Sequence, residues 1–248
     1  MADYNNPVLR SQTAAAGVMD AGLRAYMLRV YNYMLVGLVL TGATAWLTAQ
    51  TPFGDMFFQQ SYVNGHPVIG LNILGWVALF APLGLVMFLS WRIQSMSAAT
   101  AHVTFLIYAG IMGISLAPIL WLYTGESIAQ TFFITAGTFG AMSLWGYTTK
   151  ANLSGFGSFL FMGLIGIIIA SVVNFFLHSS AMAFAISIIG VLVFTGLTAY
   201  DTQAIKEMYD VSDDGSIAGK KAIMGALRLY LDFVNLFLML LRLFGNRR

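Results

Sequence analysis

No cysteine occurs anywhere in the 248 residues. That absence excludes disulfides, thiolate metal sites and cysteine redox chemistry, while leaving the redox compartment open. Charge is scarce as well: Asp, Glu, Lys and Arg make up 9% of the chain, and the formal net charge is only +2. With its basic residues scattered, the sequence offers no nucleic-acid surface, and its charges matter by position rather than by sum. Enzyme signatures are missing too. There is no His-Glu-x-x-His, no Gly-x-Ser-x-Gly and no Gly-x-x-x-x-Gly-Lys-Ser/Thr, and the run Gly155-Phe156-Gly157 lacks the third glycine of a dinucleotide loop. His66 and His178 fall at inter-span loops and His102 at the start of a span, where solvation or packing accounts for them. No catalytic residue and no resident cofactor is predicted, and no repeat or low-complexity tract marks a domain boundary.

What is abundant is apolar sequence, at 58% of the chain. Uninterrupted apolar stretches run at about 30–49, 71–90, 101–121, 128–147, 156–177 and 182–200, each long enough to cross about 30 Å of hydrocarbon as a helix. A seventh, about 222–244, carries Arg228, Asp232 and Arg242, unlike a span that faces lipid. Only about 21 Å separates Arg228 from Arg242 on the helical rise, so this helix is expected inside the bundle, where neighbours receive its polar groups. The predicted fold is an all-α membrane protein, a seven-transmembrane-helix bundle with the C-terminal helix at the centre. Residues 1–29 form a cytoplasmic N-terminal segment without a cleaved signal, 30–244 a single membrane domain and 245–248 a short tail.

Lys and Arg set the expected orientation. With the N-terminus cytoplasmic, that side holds Arg10, Arg24, Arg29, Arg92, Lys150, Lys206, Lys220 and Lys221, whereas the loops at about 50–70, 122–127 and 178–181 hold none. Arg247 and Arg248 run against this pattern. Seven crossings would export the tail, whereas a re-entrant last helix would keep it inside. Glycines recur in close pairs, Gly37 and Gly42, Gly110 and Gly113, Gly137 and Gly140, Gly163 and Gly166, which reads as close helix packing.

Two acidic residues lie within apolar helix sequence, Asp201 and Asp232. Charges at such depth are costly and face a protein interior or a water path. Asp201 is five residues from Lys206, about 7.5 Å, and Asp232 four from Arg228, about 6 Å, so the two carboxylates sit at matching depths. In contact at a poorly solvated site they cannot both stay ionised cheaply, and they share a proton. Loss of that proton leaves oxygen ligands suited to a hard cation such as Ca²⁺ and sets the two helices repelling each other. A purely structural arrangement fits the same residues: Asp232 paired with Arg228 one turn away, and Asp201 tethering a helix end. Asn174 and Asn235 are expected to hydrogen-bond between helices, Arg92 to latch onto Asp201 or mark the interface, and Arg242 to anchor the far end of the last helix.

The runs Gly113-Ile114-Ser115-Leu116-Ala117-Pro118-Ile119-Leu120, Thr135-Ala136-Gly137-Thr138-Phe139, Ala199-Tyr200-Asp201-Thr202-Gln203-Ala204-Ile205-Lys206 and Leu229-Tyr230-Leu231-Asp232-Phe233-Val234-Asn235-Leu236-Phe237 resemble the Bax inhibitor-1 family, also called transmembrane Bax inhibitor motif proteins, and especially its bacterial members. The likeness covers nearly the whole chain. Ala117 departs from it, since many members have glycine before the proline. The resemblance implies six helices around the last and a paired-aspartate pH sensor in a Ca²⁺ leak. Asp201 and Asp232 match the pair, and Arg92 matches the arginine that can engage it.

The expected activity is passive, pH-regulated Ca²⁺ permeation in a bacterial inner membrane. Asp201 and Asp232 serve as gate and transient cation site, Arg92 as latch, and Arg228, Asn235 and Arg242 as supporting polar residues. The partners are the lipid bilayer, Ca²⁺ and protons, with no nucleic acid, and a monomer is expected because one chain has enough helices to enclose its polar centre. Two other readings are a membrane regulator that binds a membrane protease or another complex, and a proton-coupled exporter.

Overall fold

The computed structural model describes the backbone of residues 7–63 and 66–248 and the side chains of residues 21–59 and 70–248. The side chains of Arg10 and His66 lie outside the described residues. In chain order the elements are α1 (Pro7–Gln50), β1 (Phe58–Val63), β2 (His66–Leu71), α2 (Ile73–Arg92), α3 (Ala98–Leu116), α4 (Pro118–Leu122), α5 (Gly125–Thr148), α6 (Ser154–Leu177), α7 (Ser180–Glu207) and α8 (Gly215–Phe244). Because an apolar helix satisfies its own backbone in hydrocarbon, helices dominate. Their starts carry side-chain caps: Asn72, Ser97, Thr124, Ser179 and Asp214 each accept a hydrogen bond from the first-turn backbone of α2, α3, α5, α7 and α8. The antiparallel hairpin of β1 and β2 departs from an all-α chain, but it lies in the loop before α2 and leaves the bundle helical.

Among the described residues, six stretches are long and apolar enough to cross a membrane: α1 from Ala21, α2, α3 continued through α4, α6, α7 and α8. The sequence singled out the last stretch as the odd one, yet α8 qualifies and α5 does not. The inward face of α5 explains this. Ser127, Thr131, Thr135 and Ser143 repeat at helical spacing and are buried, and together with the exposed Glu126 and Gln130 they lower the hydropathy of the helix. α8 runs unbroken for 30 residues, about 45 Å, rather than the short span measured between its arginines.

Burial ranks the helices. In their most apolar stretches 67% of α8 is buried, against 44% of α7 and 11% of α6. α8 packs against α7, α1, α5 and α3. Its Tyr230 is fully buried, T-stacked on Phe105 and Tyr108, and its hydroxyl meets Thr41 Oγ1 at 2.6 Å. Gly146 lets α5 lie directly on α7, since any Cβ there would strike the Ala199 carbonyl. Of the paired glycines, Gly37, Gly113 and Gly163 do pack closely, against Phe105, Thr44 and Val193, whereas Gly137 and Gly140 face open space.

The tail settles beside the start of α5. Thr124 N donates to Asn246 O at 3.1 Å, Arg248 N to Leu122 O at 3.0 Å, and Asn246 N to Ser127 Oγ at 2.9 Å. It therefore lies at the end of the bundle opposite Lys206 and Arg228, reached by a helix that passes straight through. The first helix is likewise continuous from Pro7 to Gln50, so residues 7–29 belong to the same helix as the first span.

Candidate functional site

Asp201 on α7 and Asp232 on α8 are brought together. Both carboxyl groups line one cavity and lie close enough to act on each other's charge. Asp232 is 4% exposed, and its Oδ2 is buried with no hydrogen-bond partner among the described residues. Ionised carboxylates only accept hydrogen bonds, so two such groups this close repel each other unless a proton lies between them. Arg228, one turn before Asp232, places Nη1 3.8 Å from Asp201 Oδ1. The arginine reaches across to α7 rather than along its own helix, so the intrahelical Asp232–Arg228 pair does not form. The guanidinium is about half exposed and the Asp201 carboxylate largely sheltered, which places the ion pair at the rim of the site.

The pair forms part of the wall of a cavity of about 760 Å³ bounded by α6, α7 and α8, with Ser158, Tyr200 and Asn235 adding polar atoms. A smaller cavity of about 240 Å³ lies between α2, α3 and α8, and Leu231 and Asn235 line both. Asn235 therefore stands between the two spaces, one turn deeper than Asp232. Its Nδ2 donates to Leu231 O at 2.8 Å within its own helix, and Asn174 accepts from Ser179 N in the α6–α7 turn. Neither asparagine makes the interhelical hydrogen bond expected of it, since each has a backbone partner within one turn or loop.

Arg92, at the end of α2, is exposed and makes no ion pair among the described residues, and it does not line the cavity beside Asp201. The cation at Asp201 is Arg228. Arg242 is exposed near the far end of α8, also with no ion pair among the described residues. Among the described residues, no group of three or more acidic or histidine side chains gathers that could hold a metal ion. The site thus offers two carboxylates, fewer oxygens than the six to eight that a Ca²⁺ ion takes.

Sequence reasoning missed the residues beside Asp201. Gln203 clamps the entry of α6, its Oε1 accepting from Leu153 N at 2.8 Å and its Nε2 donating to Ala151 O at 2.8 Å. Thr202 joins a hydroxyl chain, with Ser143 Oγ at 2.9 Å from Thr202 Oγ1 and at 2.5 Å from the Tyr31 hydroxyl. Lys206 donates to Tyr147 O at 2.9 Å and lies over the Tyr147 ring. Their adjacency to Asp201 in one polar run was the available signal. These bonds fix α7 against α5 and α6 and so hold Asp201 in place.

A helical bundle with a carboxyl pair buried between its last two long helices defines a class of polytopic membrane protein. Residues 23–248 match the family described as Inhibitor of apoptosis-promoting Bax1, and the chain belongs to this Bax inhibitor-1 family. It is 52% identical over 230 residues to the inner membrane protein YbhL of Escherichia coli, covering 92% of this chain and 94% of that protein. An uncharacterized protein of Rickettsia prowazekii is 46% identical over 249 residues and the full length of both chains. An uncharacterized membrane protein of Streptococcus pyogenes is 35% identical over 229 residues, with 92% of this chain and 95% of that protein covered.

Proposed function

We propose that the chain is a pH-regulated Ca²⁺ leak of a bacterial inner membrane, with α8 as the axis of seven crossing helices and Asp201 with Asp232 as gate and transient cation site. The observation that carries this reading is that the two carboxyl groups share the wall of the α6–α8 cavity, with Asp232 Oδ2 buried and unpartnered among the described residues. With the proton in place, the bond ties α7 to α8 and the pair carries a single negative charge, balanced by Arg228. Loss of the proton doubles the charge, breaks the bond and makes the contact repulsive. The same event supplies a divalent cation with two anionic ligands, so opening and ion entry are one step. Asn235 offers a further oxygen between the two cavities. The chemistry runs passively down a gradient and needs no cofactor, and one chain suffices to enclose the path. The end of the bundle that carries Lys150, Lys206 and Lys220 is the cytoplasmic one by the distribution of positive charge.

Ca²⁺ entry into proteoliposomes across about pH 6 to 8 tests the reading. Flux in the wild type is expected to rise with pH, and the pH response is expected to vanish in both Asp201→Asn and Asp232→Asn. No flux above empty liposomes at any pH overturns it.

A further inference from the structure

α1 and α5 stand apart on the side of the bundle away from the aspartate pair, leaving a cavity of about 740 Å³ between them with Phe233 of α8 as its floor. Its walls are apolar along most of their length, with Leu28 and Leu35 on one side and Gly140 and Leu144 on the other. Gly140 is exposed, and a Cβ added there would meet nothing within 4 Å. Positive charge sits at one end, where Arg24 and Tyr147 line the mouth and Lys206 lies over the Tyr147 ring, while the hydroxyls of Tyr31 and Ser143 bond to each other part-way along.

We infer that this groove is a binding site for an anionic phospholipid of the surrounding bilayer, with the phosphate at Arg24 and an acyl chain laid along α1 and α5. Length, charge and closure argue for this occupant. From Arg24 to Leu38 the groove follows α1 for fourteen residues, about 21 Å, which matches one leaflet from headgroup to midplane, about 20 to 22 Å. The cationic end lies where a headgroup phosphate lies, and basic pockets between membrane helices are suited to such headgroups. At the deep end the rings of Phe132 and Phe233 meet at 5.6 Å and divide this cavity from a smaller one of about 320 Å³ further along α1. A partner's membrane-spanning helix would have to lie across that aromatic bar, whereas an acyl chain ends at it. The inference is independent of the ion-leak reading, since neither aspartate lines the groove.

The test is retention of lipid by the purified full-length protein in detergent, after exposure to equal amounts of phosphatidylglycerol and phosphatidylcholine, read by native mass spectrometry. The wild type is expected to keep phosphatidylglycerol about fivefold over phosphatidylcholine, the effect of one basic group near an anionic headgroup. Arg24→Gln is expected to remove the preference, Arg24→Lys to restore most of it, and Gly140→Phe, which fills the groove, to reduce retention of both lipids. Arg24 and Gly140 are exposed, and an unchanged elution profile verifies that the variants fold. Equal retention of the two lipids by the wild type, or retention unaffected by Arg24→Gln and Gly140→Phe, overturns the inference. So does a cysteine at position 140, unique in this chain, that crosslinks in native membranes to another polypeptide or to a second copy.

Discussion

Arg228 carries the strongest expectation for a single side chain, because it is the cation that faces the aspartate pair. Its 3.8 Å approach to Asp201 favours the charged carboxylate, and its exposure keeps that effect modest. Arg228→Gln is expected to move the pH midpoint of Ca²⁺ flux upward while leaving the protein folded, since the pair then holds its proton more firmly. An unchanged midpoint in the same proteoliposome assay denies Arg228 a part in the gate. Gln203→Leu acts on structure instead, leaving Leu153 N and Ala151 O without their partners. Loss of a buried partner costs about 1 to 3 kcal/mol, so a lower melting temperature in detergent is expected. The meeting of Asp201 and Asp232 was legible in the sequence, because matched distance from Lys206 and Arg228 along two helices sets a common depth. The partner of Asp201 was not, because helix rotation decides whether Arg228 turns toward Asp232 or toward α7, and rotation follows from packing that no single helix encodes.

At the scale of the helix, α5 and α8 show what periodicity conveys and what it omits. Average apolarity ranked α5 as an ordinary span and α8 as the exception. The burial of α8 along most of its length agrees with its standing apart, whereas α5 falls short of an ordinary span because it hides its hydroxyls on one face. The hairpin before α2 was legible in principle, since Asn64-Gly65 between two short runs is a tight-turn signal, although those two residues lie outside the described ones. The glycine pairs read alike in sequence but divide in the fold, because only a neighbouring helix makes a missing side chain count. Gly146→Ala drives a Cβ into the backbone carbonyl of Ala199, which cannot rotate aside, and is expected to cost about 1 to 3 kcal/mol. Gly137→Ala meets nothing and is expected to leave the melting temperature unchanged or slightly raised. Equal melting temperatures for the two variants contradict the close α5–α7 contact.

Across the whole molecule, the sequence left open whether the last helix crosses or turns back, because the charge on Arg247 and Arg248 opposed the count of spans. The hydrogen bonds of residues 246 and 248 with the start of α5 place the tail at the end of the bundle opposite Lys206, the arrangement a crossing helix requires. The absence of cysteine makes the arrangement directly measurable. Single cysteines at Glu126 and Asn246 are expected to react with a membrane-impermeant maleimide from the same face, and single cysteines at Gln94 and Lys150 from the other. Labelling of positions 126 and 246 from opposite faces contradicts the fold.

The central claim is that one proton shared by Asp201 and Asp232 holds the leak shut. Infrared spectroscopy of the reconstituted protein during a pH titration addresses it most directly, by following the C=O stretch of a protonated carboxyl alongside Ca²⁺ entry in the same vesicles. The account predicts a band that is absent in Asp232→Asn and shifted in Asp201→Asn, and that in the wild type fades over the pH interval in which flux appears. A band that persists unchanged while flux rises, or flux that rises in a protein with no such band at any pH, contradicts it.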